Sequence, residues 1–163
     1  MEIEFDLNKV DILGSTEALY AYLNDFDEKA LTAEDCRFVG LSYRTLKSID
    51  DAIYWFSLSL EKTSSAFTYF YRGMSFQQKG NFQKAIGDYE AALNFDNSHE
   101  TREFVLLHVT HCYVKMNELL KARERIKELR VLLEGSKEPN FDAFVVYCGG
   151  LISAKGLYDF LAS

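Results

Sequence analysis

The feature of this sequence that most restricts its fold is a repeat with a spacing of 33 residues. The stretch YFYRGMSFQQKGNFQKAIGDYEAALNFD, residues 69–96, matches the chain 33 residues earlier at its glycine, alanine and large aromatic positions. The matched pairs are Gly40 and Gly73, Tyr43 and Phe76, Ala52 and Ala85, Ile53 and Ile86, Phe56 and Tyr89, and Ser59 and Ala92. A period in the low thirties is typical of stacked pairs of helices.

Helical periodicity runs through most of the chain. Apolar residues recur at spacings of three and four, as on the buried face of amphipathic helices, and Pro139 is the one proline. Residues with N-cap and first-turn chemistry predict helix starts at Ser15-Thr16, Thr32 and Asp50-Asp51. Strand-like alternation occurs only in EIEFDL, residues 2–7. We therefore predict an all-α chain.

Gly40 and Gly73 fall in the middle of predicted helices, where glycine costs about 1 kcal/mol relative to alanine. That cost is tolerated where the missing side chain lets a neighbouring helix approach, so both glycines are predicted to be packing positions and not part of a ligand-binding loop. Ala52 and Ala85 are expected to meet them from the following helix. Gly80 lies between two helical patterns and is predicted to cap the end of a helix.

This pattern resembles the tetratricopeptide repeat, in which aromatic, glycine and alanine residues recur with a period of about 34 residues. Three copies match. The first has Cys36, Val39, Gly40, Tyr43, Ala52, Phe56, Ser59 and Ser64; the second has Tyr69, Arg72, Gly73, Phe76, Ala85, Tyr89, Ala92 and Asn97; the third has Leu106, Val109, Thr110, Tyr113, Ala122, Ile126, Leu129 and Glu134. Arg72 replaces the family's apolar residue, Thr110 replaces its glycine, and the closing proline is missing from every copy.

The resemblance implies a right-handed superhelical solenoid of helix-turn-helix repeats with helical caps, forming a single domain over residues 1–163. Its expected parts are an N-terminal segment and capping helix at 1–32, repeats at 33–65, 66–98 and 103–136, and a C-terminal capping helix or truncated fourth repeat at 139–163. The capping helix is expected over 15–30, and a longer turn over 97–102. The apolar surface at 144–152 predicts a homodimer through the C-terminal helix, or cover by residues of a longer parent chain.

Composition narrows the partners and the compartment. The net charge is −7, and residues 1–35 carry ten acidic and two basic side chains. An acidic chain is a poor ligand for phosphate backbones, so no nucleic acid is expected. The longest nearly apolar run, 143–152, is too short to span a bilayer, and the N-terminus lacks a signal pattern. Three cysteines without a CxxC pair indicate reduced, packed thiols. We predict a cytoplasmic protein that does not bind membranes.

The strongest candidate for chemistry is HVTHC, in which His108, His111 and Cys112 share one helix face. Without a fourth ligand in sequence, we interpret the histidines as surface or groove residues and Cys112 as packed inward. GGLISAKG, residues 149–156, has the wrong order for a phosphate-binding loop. KARERIKELR, residues 121–130, reads as a solvated helix face, with a basic docking patch as the alternative. No catalytic, metal or cofactor-binding residue is predicted.

The resemblance places a partner-binding groove on the first helix of each repeat. Its expected residues are Arg37, Phe38, Leu41 and Arg44 in the first repeat, Phe67, Phe70, Tyr71, Met74 and Gln77 in the second, and Phe104, Leu107, His108, His111 and Lys115 in the third. Some family members bind a chaperone's C-terminal carboxylate through a Lys and Asn clamp. The matching positions here are Arg37, Leu41, Tyr71, Phe104 and His108, so that specificity is not expected.

The sequence therefore predicts a non-enzymatic protein-interaction module that binds a peptide or helical segment, as an adaptor or a small secretion-type chaperone. The alternative is an acidic inhibitor or immunity protein that neutralises a basic partner such as a toxin. An enzyme that uses His108 and His111 is a third class. Within the second repeat, Phe70 and Tyr71 are assigned to the groove, which a partner or the protein's own EIEFDL would cover. Phe76 and Tyr89 are assigned to the core.

Overall fold

The computed structural model describes residues 14–134. Within that range the chain forms seven α-helices and no strand. The helices are α1 (Thr16–Leu23), α2 (Ala33–Thr45), α3 (Ile49–Lys62), α4 (Ala66–Gln78), α5 (Phe82–Leu93), α6 (His99–Lys115) and α7 (Leu119–Glu134). The all-α prediction is confirmed. Three predictions concern residues outside the described range: the strand-like segment 2–7, the C-terminal helix at 139–163 and the homodimer formed through that helix.

Two of the three predicted helix starts are confirmed. The Ser15 side chain accepts a hydrogen bond from the Ala18 backbone N–H, and Thr32 forms a reciprocal capping box with Asp35. The third prediction was wrong by two residues: α3 begins at Ile49, earlier than the expected start at Asp50-Asp51. The aspartates expected to cap this helix lie inside its first turn instead, where their negative charge complements the helix dipole.

The first capping helix is shorter than the expected 15–30. It ends at Leu23, and the chain then turns through backbone hydrogen bonds from Asp25 to Tyr22 and from Phe26 to Leu23. The ring of Phe26 still meets that of Tyr22 edge to face, with their centroids 5.0 Å apart. Both rings pack against the buried side chains of the first repeat. The prediction therefore identified the apolar face correctly, although the predicted helix was too long.

Contacts divide the chain into two compact units, Met1–Phe95 and Asp96–Ser163. In the first unit, α2 packs on α3, α3 on α4 and α4 on α5. One continuous core cluster joins the capping helix to the first repeat, and its buried members are Leu19, Leu23, Leu31, Cys36, Val39, Tyr43, Ala52, Trp55 and Phe56. The second repeat buries Ala85, Ile86, Tyr89 and Ala92. Most of the matched small and aromatic positions of these two copies therefore build the core; Ser64, Tyr69 and Phe76 are exceptions.

The second unit contains the hairpin of α6 and α7, whose cluster is formed by Leu106, Ile126 and Leu129. Helix α6 begins at His99, four residues before the expected start of the third repeat. Ser98 caps it by accepting a hydrogen bond from the Thr101 N–H, so the extra residues extend a helix and do not lengthen a turn. Thr110, in the glycine position, donates its hydroxyl hydrogen to the Leu106 carbonyl at 2.7 Å.

The same turn closes the first helix of all three hairpins. At Gly80, φ is +81°, and the backbone N–H of the next residue, Asn81, donates to the Phe76 carbonyl at 2.8 Å. This bond defines a Schellman motif, which confirms the predicted cap. Lys47 (φ 64°) and Asn117 (φ 59°) hold the same left-handed position in the other two hairpins, with the same hydrogen bonds.

Replacing Lys47 with glycine is expected to stabilise the fold by about 0.5–1 kcal/mol. A non-glycine residue at positive φ is strained by about 1–2 kcal/mol, partly offset by the larger entropy of glycine in the unfolded chain. Gly80→Ala, the matched control, should destabilise by a similar amount for the same reason. Urea denaturation of both variants measures this, and a destabilised Lys47→Gly variant would contradict the strain argument.

The two mid-helix glycines, Gly40 and Gly73, allow close packing as predicted, but the groups that pack against them are aromatic rings. A Cβ atom placed on Gly40 would lie 2.8 Å from two ring carbons of Phe56, and one on Gly73 would lie 2.9 Å from the ring of Tyr89. Ala52 and Ala85 were expected to make these contacts. Ala85 takes part through its carbonyl oxygen, 3.3 Å from the position of that Cβ on Gly73, whereas the three atoms nearest to the Cβ on Gly40 all belong to Phe56. Each glycine therefore receives the aromatic residue of the following helix.

Candidate functional site

The residues expected in the groove differ in how far they reach the solvent. Phe38, Phe67, Phe104 and Lys115 are exposed; Arg37, Leu41, Arg44, Phe70, Tyr71, Met74, Gln77, Leu107 and His111 are half-buried; and His108 is buried. The first two repeats belong to one unit and the third to the other. The nine residues on α2 and α4 are therefore considered together, and the five on α6 separately.

On α2 and α4, four of these residues form a continuous series of contacts, here called the arginine–aromatic ladder (Arg37, Phe67, Tyr71 and Arg44). The Arg37 guanidinium lies 5.1 Å from the centroid of the Phe67 ring, and that ring lies 4.3 Å from the ring of Tyr71. The Arg44 guanidinium lies 5.4 Å from the centroid of the Tyr71 ring. The cations therefore sit at the two ends of an aromatic pair, held by cation–π contacts.

The electrostatic surroundings of the two arginines differ. Arg37 pairs with Glu34 one turn earlier, at 2.9 Å, and also contacts the ring of Phe38. Arg44 forms no ion pair with any described residue; its terminal nitrogen donates to the Met74 sulfur at 3.9 Å, a weak bond. The buried Nε atoms of both arginines have no hydrogen-bond partner. Within residues 14–134, the positive charge of the Arg44 guanidinium therefore has no carboxylate partner.

Behind the exposed rings, Phe70 and Tyr71 reach the core. The ring of Phe70 lies 5.5 Å from that of the buried Tyr89, and Tyr71 packs against the core cluster, 6.3 Å from the ring of Phe56. These two residues of α4 therefore contact buried rings of both neighbouring helices, Tyr89 on α5 and Phe56 on α3. Phe76, assigned to the core by sequence, is only half-buried and contacts the side chains of Arg72 and Lys84.

Tyr69, also expected in the repeat core, is half-buried and stacks on the exposed ring of Phe95 with the centroids 5.6 Å apart. The buried residues of α4 are all small, namely Thr68, Gly73 and Ser75. The core of the second repeat is consequently supplied by α5, while α4 presents most of its large rings at intermediate burial.

An ion pair between α4 and α5 in the second repeat was not predicted from the sequence. Arg72 donates two hydrogen bonds to the Asp88 carboxylate, at 2.8 and 2.7 Å, and a third to the hydroxyl of Ser57 at 3.1 Å. The hydrogen bonds to Asp88, and after them its negative charge, raise the pKa of the guanidinium despite the opposing effect of burial. The available signal was Arg72 itself, because a charged residue at a core position requires a buried partner. This pair is structural and ties α4 to α5 and α3.

In the second unit, the three candidate metal ligands of HVTHC lie on α6, with His108 and Cys112 buried and His111 half-buried. Cys112 is fully buried, as expected, and burial raises the pKa of its thiol to about 12. Burial and the nearby Lys115 lower the pKa of His111. Among the described residues, no group of three or more His, Cys, Asp or Glu side chains is arranged to hold a metal ion. Cys36 is also buried as a free thiol, whereas Cys148 lies outside the described residues.

The remaining groove residues of α6 divide by burial. Leu107 packs against the small core cluster of this unit, whereas the ring of Phe104 and the side chain of Lys115 are exposed. On α7, Arg125 pairs with Glu128 at 2.9 Å, three residues later, as expected for a solvated charged face.

Consecutive helical hairpins that share one turn motif and one glycine–aromatic contact define a helical-repeat protein. Residues 66–99 match the family model described as tetratricopeptide repeat, so this segment is a tetratricopeptide repeat and the resemblance seen in the sequence is confirmed. Such repeats generally mediate protein–protein interactions, and the fold is typically non-enzymatic.

Among solved structures, the chain is similar to the C-terminal part of a TPR repeat-containing protein from Cytophaga hutchinsonii. The identity is 16%, the TM-score is 0.46, and the match covers 92% of this chain and 71% of that one. Comparison with curated proteins found no match. In the described range, none of the helices combines the length and apolar character needed to cross a membrane.

Proposed function

We propose that this protein is a non-enzymatic interaction module that binds a peptide or helical segment of another protein on the surface of α2 and α4. It would act as an adaptor or as a small chaperone that holds a partner segment. The observation that carries this proposal is the arginine–aromatic ladder, together with the exposed ring of Phe38 beside it. Of the rings, Phe38 is 38% and Phe67 44% exposed.

The composition of this surface supports binding of protein in particular. Aromatic residues, methionine and arginine are enriched at protein interfaces, and a few such residues supply most of the binding free energy. Here Phe67, Tyr71 and Met74 provide apolar contact area, while Arg37 and Arg44 provide fixed donors. Stacking already restrains the arginine side chains, so less conformational entropy is lost when a partner binds.

The α6 residues Phe104, Leu107, His108, His111 and Lys115 are proposed as partner contacts of the second unit. Their support is weaker, because Leu107 and His108 are drawn into that unit's packing. The alternative function, inhibition of a basic partner, rests on the acidic segment 1–35, of which residues 1–13 lie outside the described range. The structure supplies no observation that favours it, and it stays a sequence-based prediction.

Truncation of Phe67 to alanine is expected to weaken partner binding by about 2 kcal/mol, the scale of a central hot spot, with a small loss of stability because the ring is exposed. The partner would first be identified by placing a photo-cross-linking amino acid at position 38 and analysing the product by mass spectrometry. Its affinity for the Phe67→Ala variant would then be measured by calorimetry, beside thermal melting of the same variant.

Tyr20→Ala is the matched control, since this tyrosine is an exposed aromatic residue on α1, outside the two helices of the proposed surface. It should leave affinity unchanged. Equal effects of Phe67→Ala and Tyr20→Ala on affinity would contradict the proposed surface. Tyr71→Ala and Phe70→Ala should lower both affinity and melting temperature, because both rings also contact core aromatic residues.

A further inference from the structure

We infer that the partner segment is an amphipathic helix with two acidic residues seven positions apart and apolar residues between them. This inference rests on the proposed function and specifies its ligand. It follows from the spacing and the charge of the arginine–aromatic ladder, in which cations stand at both ends and aromatic rings fill the centre.

The spacing selects a helix. Arg37 and Arg44 are seven residues apart on α2, which is two helical turns, or about 10 Å along the axis. A partner helix lying along α2 repeats with the same geometry, so its residues i and i+7 would meet the two arginines while residues i+3 and i+4 face the rings. In an extended peptide, residues on the same face lie about 7 or 13 Å apart, and neither distance matches the spacing of Arg37 and Arg44 along α2.

The charge selects carboxylates. Arg44 has no carboxylate partner among the described residues, and its guanidinium is held by Tyr71 and the Met74 sulfur. Arg37 forms its one ion pair with a described residue to Glu34, whose side chain is largely exposed, and such surface pairs contribute little to stability. At each end of the ladder, a partner carboxylate would accept charge-assisted hydrogen bonds from the arginine. Such bonds are about twice as strong as those between neutral groups.

The test uses three synthetic helical peptides and the full chain. The first carries glutamate at i and i+7 with leucine at i+3 and i+4; the second replaces both glutamates with glutamine; the third moves the second glutamate to i+5, off that face. Binding is measured by fluorescence anisotropy. We expect the first peptide to bind at least tenfold more tightly than the other two.

Arg44→Gln and Arg37→Gln should each weaken binding of the glutamate peptide about tenfold and leave the glutamine peptide unchanged. Arg102→Gln, which removes the same charge from an exposed position on α6, is the matched control and should have no such effect. Equal binding of the three peptides, absence of binding at millimolar concentration, or an unchanged affinity in both arginine variants would overturn the inference. A cross-linked natural partner that binds through Phe67 but lacks the acidic pair would overturn it while leaving the proposed function intact.

Discussion

Replacing Tyr89 with alanine is expected to lower the free energy of unfolding by about 3–5 kcal/mol, the usual cost of deleting a buried aromatic side chain. The side chain is completely buried. Its ring covers Gly73 and contacts Phe70, and its hydroxyl donates a hydrogen bond to Gln77. The cavity left by alanine would therefore lie between α4 and α5, beside Gly73. Urea denaturation followed by circular dichroism measures the loss.

Two further variants separate the contributions at this position. Tyr89→Phe removes only the hydroxyl and should cost about 0.5–1.5 kcal/mol, the net value of one hydrogen bond. Phe76→Ala should cost clearly less than Tyr89→Ala because Phe76 is half-buried. Equal losses for Phe76→Ala and Tyr89→Ala would contradict the assignment of the core to α5 and favour the original sequence-based assignment.

Replacing Asp88 with alanine is expected to destabilise the fold by about 3 kcal/mol. Asp88 is buried and accepts two hydrogen bonds from Arg72, whose side chain is about a fifth exposed. Removing the carboxylate would leave a largely buried guanidinium with the Ser57 hydroxyl as its remaining strong partner. Breaking a fully buried pair costs about 3–5 kcal/mol, and partial exposure of Arg72 places the expected value at the lower end.

The double variant Arg72→Leu with Asp88→Ala provides the control. It removes the stranded charge and restores the apolar residue that the repeat family usually has at position 72. Stability should recover by at least about 1 kcal/mol relative to Asp88→Ala alone, since apolar replacements of buried ion pairs are often neutral or stabilising. Additive losses in the double variant would show that Arg72 stabilises the repeat independently of Asp88.

Much of the fold could be predicted from the repeat because its spacing reflects local and neighbouring packing. Gly73 and Tyr89 recur as Gly40 and Phe56, and both pairs make the same contact. The cap at Gly80 was also predictable, since glycine is the residue that adopts positive φ without strain. The equivalent role of Lys47 was not predicted, because lysine carries no preference for that conformation; the available signal was its position 33 residues before Gly80, the repeat spacing.

The candidate site was predicted residue by residue but without its contacts. Helical spacing and the family resemblance assigned Arg37, Arg44, Phe67 and Tyr71 to one surface, and the structure brings these four side chains together. The sequence could not show that both guanidinium groups stack on rings of the next repeat. That contact joins residues 27 or 30 positions apart and depends on how two hairpins pack.

The sequence by itself determined the helical class, the period and the matched glycine and aromatic positions, because each depends on spacing within one hairpin or its copy. Tertiary structure decided which large side chains are core. Phe76 and Tyr89 belong to one repeat and look equivalent in sequence, yet only Tyr89 is completely buried, since its ring faces a glycine on the adjoining helix. Tertiary structure likewise paired Arg72 with Asp88 and, in the part of the chain that the structure describes, left Arg44 without a carboxylate. Whether two charged groups pair depends on the distance between them in space, which the spacing of residues along the chain does not determine.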